Sequence, residues 1–165
     1  MNAFQRLSRN LKTLNLVQQI QTLMQEDEEL LLSLQKDQLY AGQDANGNGL
    51  RPTYQEDPYF KTQAAAQRYS DWKDRLDQRS HNPLFAKRPS GTPNLIINGR
   101  WLYNTLVADV GGGKLVVSSG SWLFPKLETK YGQALLGLNH IALRYYVEEI
   151  LFTRLQKNVN KWLNQ

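Results

Sequence analysis

"TLVADVGGGKLVVSS", residues 105–119, decides the fold. Two short runs rich in valine and leucine flank three glycines. Branched residues of this kind favour a pleated, half-buried surface, and glycine takes the positive φ that a tight hairpin turn requires. The stretch predicts an antiparallel hairpin, residues 105–110 and 114–119, closed by glycines 111–113. Upstream, "NLIING" predicts one more short strand, and Asn98 is placed to cap a turn carrying Trp101 and Tyr103. Residues 94–120 thus read as a β-hairpin region.

Outward from the hairpin, the period changes from two to three-and-four. Residues 1–41 read as a helical region, because Leu7, Leu11 and Leu14, then Val17, Ile20 and Met24, share one helical face. The acids of "EDEE" suit a first helical turn, which puts a break near Gln25, and Gly42 is a natural stop. Residues 42–56 are turn-rich. A helix over 57–78 is expected to start at Asp57 and Pro58 and to bury Ala65, Tyr69, Trp72 and Leu76. Residues 79–93, with three prolines, read as a loop. A short helix over 121–132 and a long one over 139–163, capped by Asn139, complete the chain. The buried face of the last is expected to run through Leu143, Val147, Ile150, Leu151, Leu155, Val159 and Trp162. The class is α+β in a single domain of 165 residues: N-terminal helices, a small antiparallel β-sheet with a Gly-rich hairpin, and a long C-terminal helix.

The composition limits the chemistry. With no cysteine, there is no disulfide, thiol nucleophile or cysteine zinc site. No apolar run reaches the roughly 20 residues that cross a bilayer, and the N-terminus lacks a signal-peptide stretch. A chain made in the cytoplasm, with no membrane partner, is expected. The net charge of +5 is uneven: 10 Lys/Arg stand against 4 Asp/Glu from Pro83 onward, and 10 against 11 before it. A basic half is drawn to nucleic acid or to an acidic partner. Arg154, Lys157 and Lys161 form a basic stripe on the last helix that suits a DNA-facing role.

Motifs that suggest chemistry do not complete. "DANGNGL", residues 44–50, places Asp44, Asn46 and Asn48 at the first, third and fifth positions of a calcium loop. The twelfth position, where a bidentate Glu is needed, is Gln55, and Pro52 stands at the ninth. A turn is the better reading. "GGGK" at 111–114 lacks the first glycine of a phosphate loop, since Ala108 stands there, and Leu115 replaces the Ser/Thr. His81 and His140 have no metal-ligand spacing. No catalytic residue, metal site, cofactor or small-molecule substrate is expected. Among the 17 aromatics, Trp72 and Trp162 read as core. Trp101, Tyr103, Trp122 and Phe124 cluster about the hairpin and are candidates for a partner interface.

Three stretches carry a resemblance: residues 37–73, from "DQLYAG" through "DPYFK" to "YSDWK"; "TPNLIINGRWLYNTL" at 92–106; and "KYGQALLGLN" at 130–139. Together they resemble a family of small virion proteins of tailed phages and prophages of Bacteroides-type bacteria, including crAss-like phages. Residues 94–132 are also similar to tail-completion and virion-morphogenesis proteins, with Asn98 and Gly99 where Thr-Gly is usual. The resemblance implies a small curved sheet with the long C-terminal helix packed on it. It implies a non-enzymatic role as one subunit of a homo-oligomeric ring in the virion neck, between portal and tail proteins and around packaged DNA. The alternative is a non-specific nucleic-acid-binding or phage assembly protein.

Overall fold

The computed structural model describes residues 15–76, 80–97 and 100–163. The expected face through Leu7, Leu11 and Leu14 and the Asn98 cap lie outside the described residues. Helix α1 is Leu16–Glu26, opened by Asn15, whose side chain accepts from the Gln18 N–H at 3.1 Å. Helix α2 is Glu28–Tyr40, with Glu28 and Glu29 at the positive end of its dipole. The break between them falls at Asp27, two residues beyond Gln25. At the far end of α2, Gly42 N–H bonds to the Leu39 carbonyl and Gln43 N–H to the Gln38 carbonyl, closing a Schellman motif. Gly42 has φ +74°, and a Cβ there would lie 2.5 Å from Thr92 Cγ2, so only glycine fits.

Helix α3 is Gln63–Arg75, shorter than the expected 57–78. Thr62 caps it, its hydroxyl accepting from the Ala65 N–H at 3.2 Å. Asp57 instead closes a turn through the Tyr59 N–H and pairs with Lys130, so its carboxylate is committed before the helix begins. The buried face is also rotated by one position. Ala66, Ser70 and Lys73 are inside, whereas Trp72, expected in the core, is 44% exposed. Small residues at 66 and 70 let the helix approach closely; Tyr69 and Trp72 pack along its margin with their rings tilted, ring centres 5.4 Å apart.

Strands β1 (Ile96–Ile97) and β2 (Arg100–Trp101) form a first antiparallel pair, followed by a 3₁₀ turn, Leu102–Thr105. Strands β3 (Leu106–Gly111) and β4 (Lys114–Ser119) form the predicted hairpin, in the register Gly111↔Lys114 to Leu106↔Ser119. The turn holds two residues rather than three. Gly112 and Gly113 have φ +57° and +73°, the two positive values of a type I′ turn, while Gly111 joins the strand. Leu106, Ala108 and Val110 are buried; Val107 and Asp109 are exposed.

Helix α4, Phe124–Tyr131, starts with Pro125 in its first turn and ends at Gly132. Asn139 then caps the closing helix, its Oδ1 accepting from the Ile141 and Ala142 N–H groups. That helix has three parts: α5 (His140–Tyr145), a π segment (Tyr146–Leu151) and α6 (Phe152–Leu163). The expected face through Leu143 and Val147 is corrected here: both are exposed, at 44% and 41%, and Ala142 and Tyr146 are buried. A π segment inserts one residue into the helical repeat. The buried residues therefore step from Ala142 and Tyr146 to Leu151 with a spacing of five, where an unbroken α-helix has three or four.

Two apolar clusters share α2 as their wall. Leu31 and Leu34 of α2 meet Leu23, Val110, Ala142 and Tyr146 on one side. Leu39 meets Leu50, Leu95, Leu102, Leu106 and Leu135 on the other. The closing helix thus reaches the sheet through the hairpin's distal end, Val110 and Leu115, with α1 and α2 against it. Between the clusters lies a buried polar latch. Gln35 Oε1 accepts from the Gly137 N–H (2.7 Å), Gln38 Oε1 from the Asn139 N–H (2.7 Å), and Gln38 Nε2 donates to the Gly137 carbonyl (2.9 Å). The latch fixes where the closing helix begins. Its hydrogen bonds offset most of the desolvation of two fully buried amides, leaving Gln35 Nε2 without a partner among the described residues.

Candidate functional site

The "DPYF" turn, residues 57–60, begins an aromatic-walled pocket. Asp57 Oδ1 accepts from the Tyr59 N–H at 3.1 Å, and its carbonyl from the Phe60 N–H at 3.1 Å. This turn presents Phe60 to Tyr54 and to Tyr69 of α3, with ring centres 6.4 and 5.0 Å away. Helix α4 supplies Leu127, Lys130 and Tyr131, which its periodicity places on one side. Pro93 and Leu95 complete a cavity of about 250 Å³. Leu95 stands at φ +54°, a left-handed conformation that costs a non-glycine residue about 1 kcal/mol or more.

The electrostatics of this pocket are those of a lysine-lined aromatic cleft. Asp57 is paired with Lys130. Lys73 is 5% exposed, and burial, followed by the nearby Arg88 guanidinium, pulls its ammonium down to about 8. The Tyr54 and Tyr131 hydroxyls are pushed well above their ordinary range, chiefly by burial. At neutral pH the cavity therefore offers the protonated Tyr54 and Tyr131 phenols and the Lys73 ammonium, with a volume suited to a single large side chain. Its lining contains no histidine, serine or cysteine. Nothing in the sequence periodicity links residues 54–60, 69–73 and 127–131, so sequence reasoning missed this grouping.

The residues expected to face partners divide sharply. Tyr103 is 3% exposed and its hydroxyl donates to the Asn94 carbonyl at 3.1 Å; it is core, not interface, because only an interior position satisfies both ring and hydroxyl. Phe124 is half-buried against the leucine cluster around Leu39. Trp122 is 75% exposed, with the Lys126 ammonium 5.7 Å from its ring centre. The Trp101 side chain lies outside the described residues. In the basic stripe, Arg154 turns inward to Glu26 and Asp27, while Lys157 and Lys161 are exposed. Asp27 also accepts from the Tyr146 hydroxyl at 3.2 Å, and burial together with that carboxylate holds the phenol protonated. Arg154 thus ties α6 to the α1–α2 junction.

The Asp44 loop is a turn. Asp44 Oδ1 accepts from the Asn46 and Asn48 N–H groups at 2.9 and 2.8 Å, and Gly47 takes φ +79°. Among the described residues no three His, Cys, Asp or Glu side chains converge as a metal site requires. No described helix is long and apolar enough to cross a membrane.

Besides Leu16 and Val17 of α1, Tyr59, Trp72 and Trp122, large apolar side chains are exposed on the hairpin and on the closing helix. On the hairpin, Val107 and Val116 are 57% and 56% exposed. On the closing helix, Leu143, Val147 and Phe152 are exposed, and α6 has no fully buried residue despite its apolar stripe. Comparison with protein-family models, curated proteins and solved structures returns no match.

Proposed function

We propose that this chain is a structural subunit of a tailed-phage virion, one copy of a ring in the neck or head–tail connector around the DNA path. The observation that carries the reading is the hairpin β3–β4, which buries one face on the helices, exposes Val107 and Val116 on the other, and leaves the outer edge of β4 with no strand beside it among the described residues. A subunit that repeats around a ring needs two distinct surfaces that are complementary to each other, and each weak contact gains from repetition. The outer faces of the hairpin and of the closing helix are candidates for those surfaces. The sequence resemblance to small virion proteins supports the same role. The net charge of +6 from residue 83 onward suits proximity to packaged DNA without base recognition.

A second reading, non-specific nucleic-acid binding or an assembly role, is favoured by the exposed Lys157 and Lys161 alone. The two separate in one experiment: mass spectrometry of purified virions encoding this chain, with cryo-EM of the neck. The structural role predicts a fixed, multiple copy number at the neck. Absence from intact particles, with salt-sensitive DNA binding by the free chain, supports the second reading instead.

A further inference from the structure

Strand β4 pairs with β3 on one side, and on its other side no strand lies beside it among the described residues. Which main-chain groups face outward follows from the hydrogen-bond phase. Gly120 N–H bonds to the Thr105 carbonyl, and the Gly111↔Lys114 pair flanks a two-residue turn. Antiparallel ladders alternate between bonded and non-bonded pairs, so Lys114, Val116 and Ser118 exchange their bonds with β3. Leu115 and Val117 then point both N–H and carbonyl outward, and no described residue bonds to these groups.

The two strands of the hairpin differ in this respect. Helices α1 and α2 pack against β3, whose Leu106, Ala108 and Val110 are buried, and Gln25 Nε2 donates to the Val110 carbonyl at 3.3 Å. The edge of β4 has no such cover. Folded proteins protect an open edge with a proline, a bulge or a charge within the strand. In β4 the ladder from Lys114 to Ser119 is unbroken, there is no proline, and the one charge, Lys114, stands at the end. An edge left in this state is a template for another strand.

We propose that two copies of this chain pair β4 to β4, antiparallel about a two-fold axis at Val116, to make one four-stranded sheet. The strand is its own complement in this register. Leu115 of each copy lies opposite the partner's Val117, and the two residues exchange N–H···O bonds, so every outward group of Leu115 and Val117 is used. On the exposed face the two Val116 side chains meet in a non-bonded pair, where opposed side chains come closest. Lys114 stands beside the partner's Ser118, which keeps the two Lys114 ammoniums at opposite ends of the contact. A shift of two residues one way would set Val116 beside Ser118 and Leu115 beside Ser119. The opposite shift would set Lys114 beside Val116 and run Val117 against the turn at Gly113. A two-fold contact closes on itself, so it makes pairs. The surfaces that join neighbours around a ring are separate from it, and the proposal goes beyond the ring reading without resting on it.

The chain has no cysteine, so introduced thiols report directly. Full-length Val116→Cys is oxidised gently beside Val107→Cys; the two positions are equally exposed, at 56% and 57%, but Val107 lies on β3. The 116–116 disulfide is expected at least about tenfold faster than any 107–107 product, because only the first pair is brought within bonding distance. A mixture of Lys114→Cys and Ser118→Cys gives the 114–118 disulfide, which fixes the register. In sedimentation velocity, Val116→Lys sets two ammoniums face to face and weakens self-association at least about tenfold, while its thermal unfolding stays close to that of the parent chain. Equal cross-linking at 107 and 116 overturns the proposal, and so does a chain that stays monomeric at every concentration. Oligomers that Val116→Lys leaves unchanged overturn it as well. None of these results bears on the virion measurement, which tests the ring reading separately.

Discussion

Helix α2 and the hairpin β3–β4 touch each other, yet they use their surfaces in opposite ways. Helix α2 is enclosed on two sides by apolar clusters, and its buried glutamines hold the segment 137–139. Its N-terminal end is met by acids and its C-terminal end by a glycine motif. The hairpin buries Leu106, Ala108 and Val110 but exposes valines and leaves the outer edge of β4 with no strand beside it among the described residues. The comparison separates two roles within one small fold. The part with its polar groups mostly satisfied inside the molecule holds the shape. The part with satisfiable groups left at its margin is where another molecule can add.

The largest effect expected on the scaffold side is from Leu31→Ala. Leu31 is 1% exposed between α1, the hairpin's distal end and the closing helix, so truncation leaves a cavity and costs about 2–5 kcal/mol in denaturant unfolding. Next is a pH effect at Lys73. Its folded-state ammonium ionises near 8, below the ordinary 10.5, so the unfolded chain binds more protons between those values. Stability therefore rises from about pH 8 upward, by about 2 kcal/mol. Above about pH 10 the trend reverses, because Tyr54, Tyr131 and Tyr146 resist ionisation only when folded. Urea midpoints across pH 7–11 trace this maximum, and Lys73→Met removes the rising limb.

Asn139→Ala deletes the cap of the closing helix and its bond to Gln43, costing about 1–3 kcal/mol by thermal and chemical unfolding. The smallest effect on stability belongs to the hairpin's exposed face. Val107→Thr with Val116→Thr changes unfolding by about 0.5 kcal/mol or less, while self-association drops measurably in sedimentation. A stability loss on the order of that for Leu31→Ala would erase the distinction between scaffold and margin.

The same contrast explains how much was legible in the sequence. A strand's branched residues and the glycines of its turn are local signals, so the hairpin was readable, except that Gly111 joins the strand. Helix ends were readable where a local signal decides, as at Gly42 and Asn139. Helix faces were not. In the closing helix, one inserted residue at 146–151 rotates everything after it, and no residue type there announces a π segment. In α3, Thr62 displaced Asp57 as the cap because Lys130, 73 residues away, holds the Asp57 carboxylate. Of the expected partner-facing residues, Trp122 is exposed, whereas Tyr103 and Arg154 are engaged inside the molecule. Aromatic or basic identity does not tell a surface residue from one whose partner is distant in sequence. The pocket around Tyr54, Lys73 and Tyr131 escaped for the same reason.

The most direct test of the central claim, that the hairpin margin is the assembly edge, is hydrogen exchange measured residue by residue in dilute and in assembled chain. Amides of Leu115 and Val117 on the outer edge of β4 are expected to exchange quickly when dilute and at least about tenfold more slowly on assembly, while Val116, bonded inside the hairpin, stays protected in both. If Leu115 and Val117 are already slow in the monomer, or stay fast in the assembled state, the edge is not where copies meet.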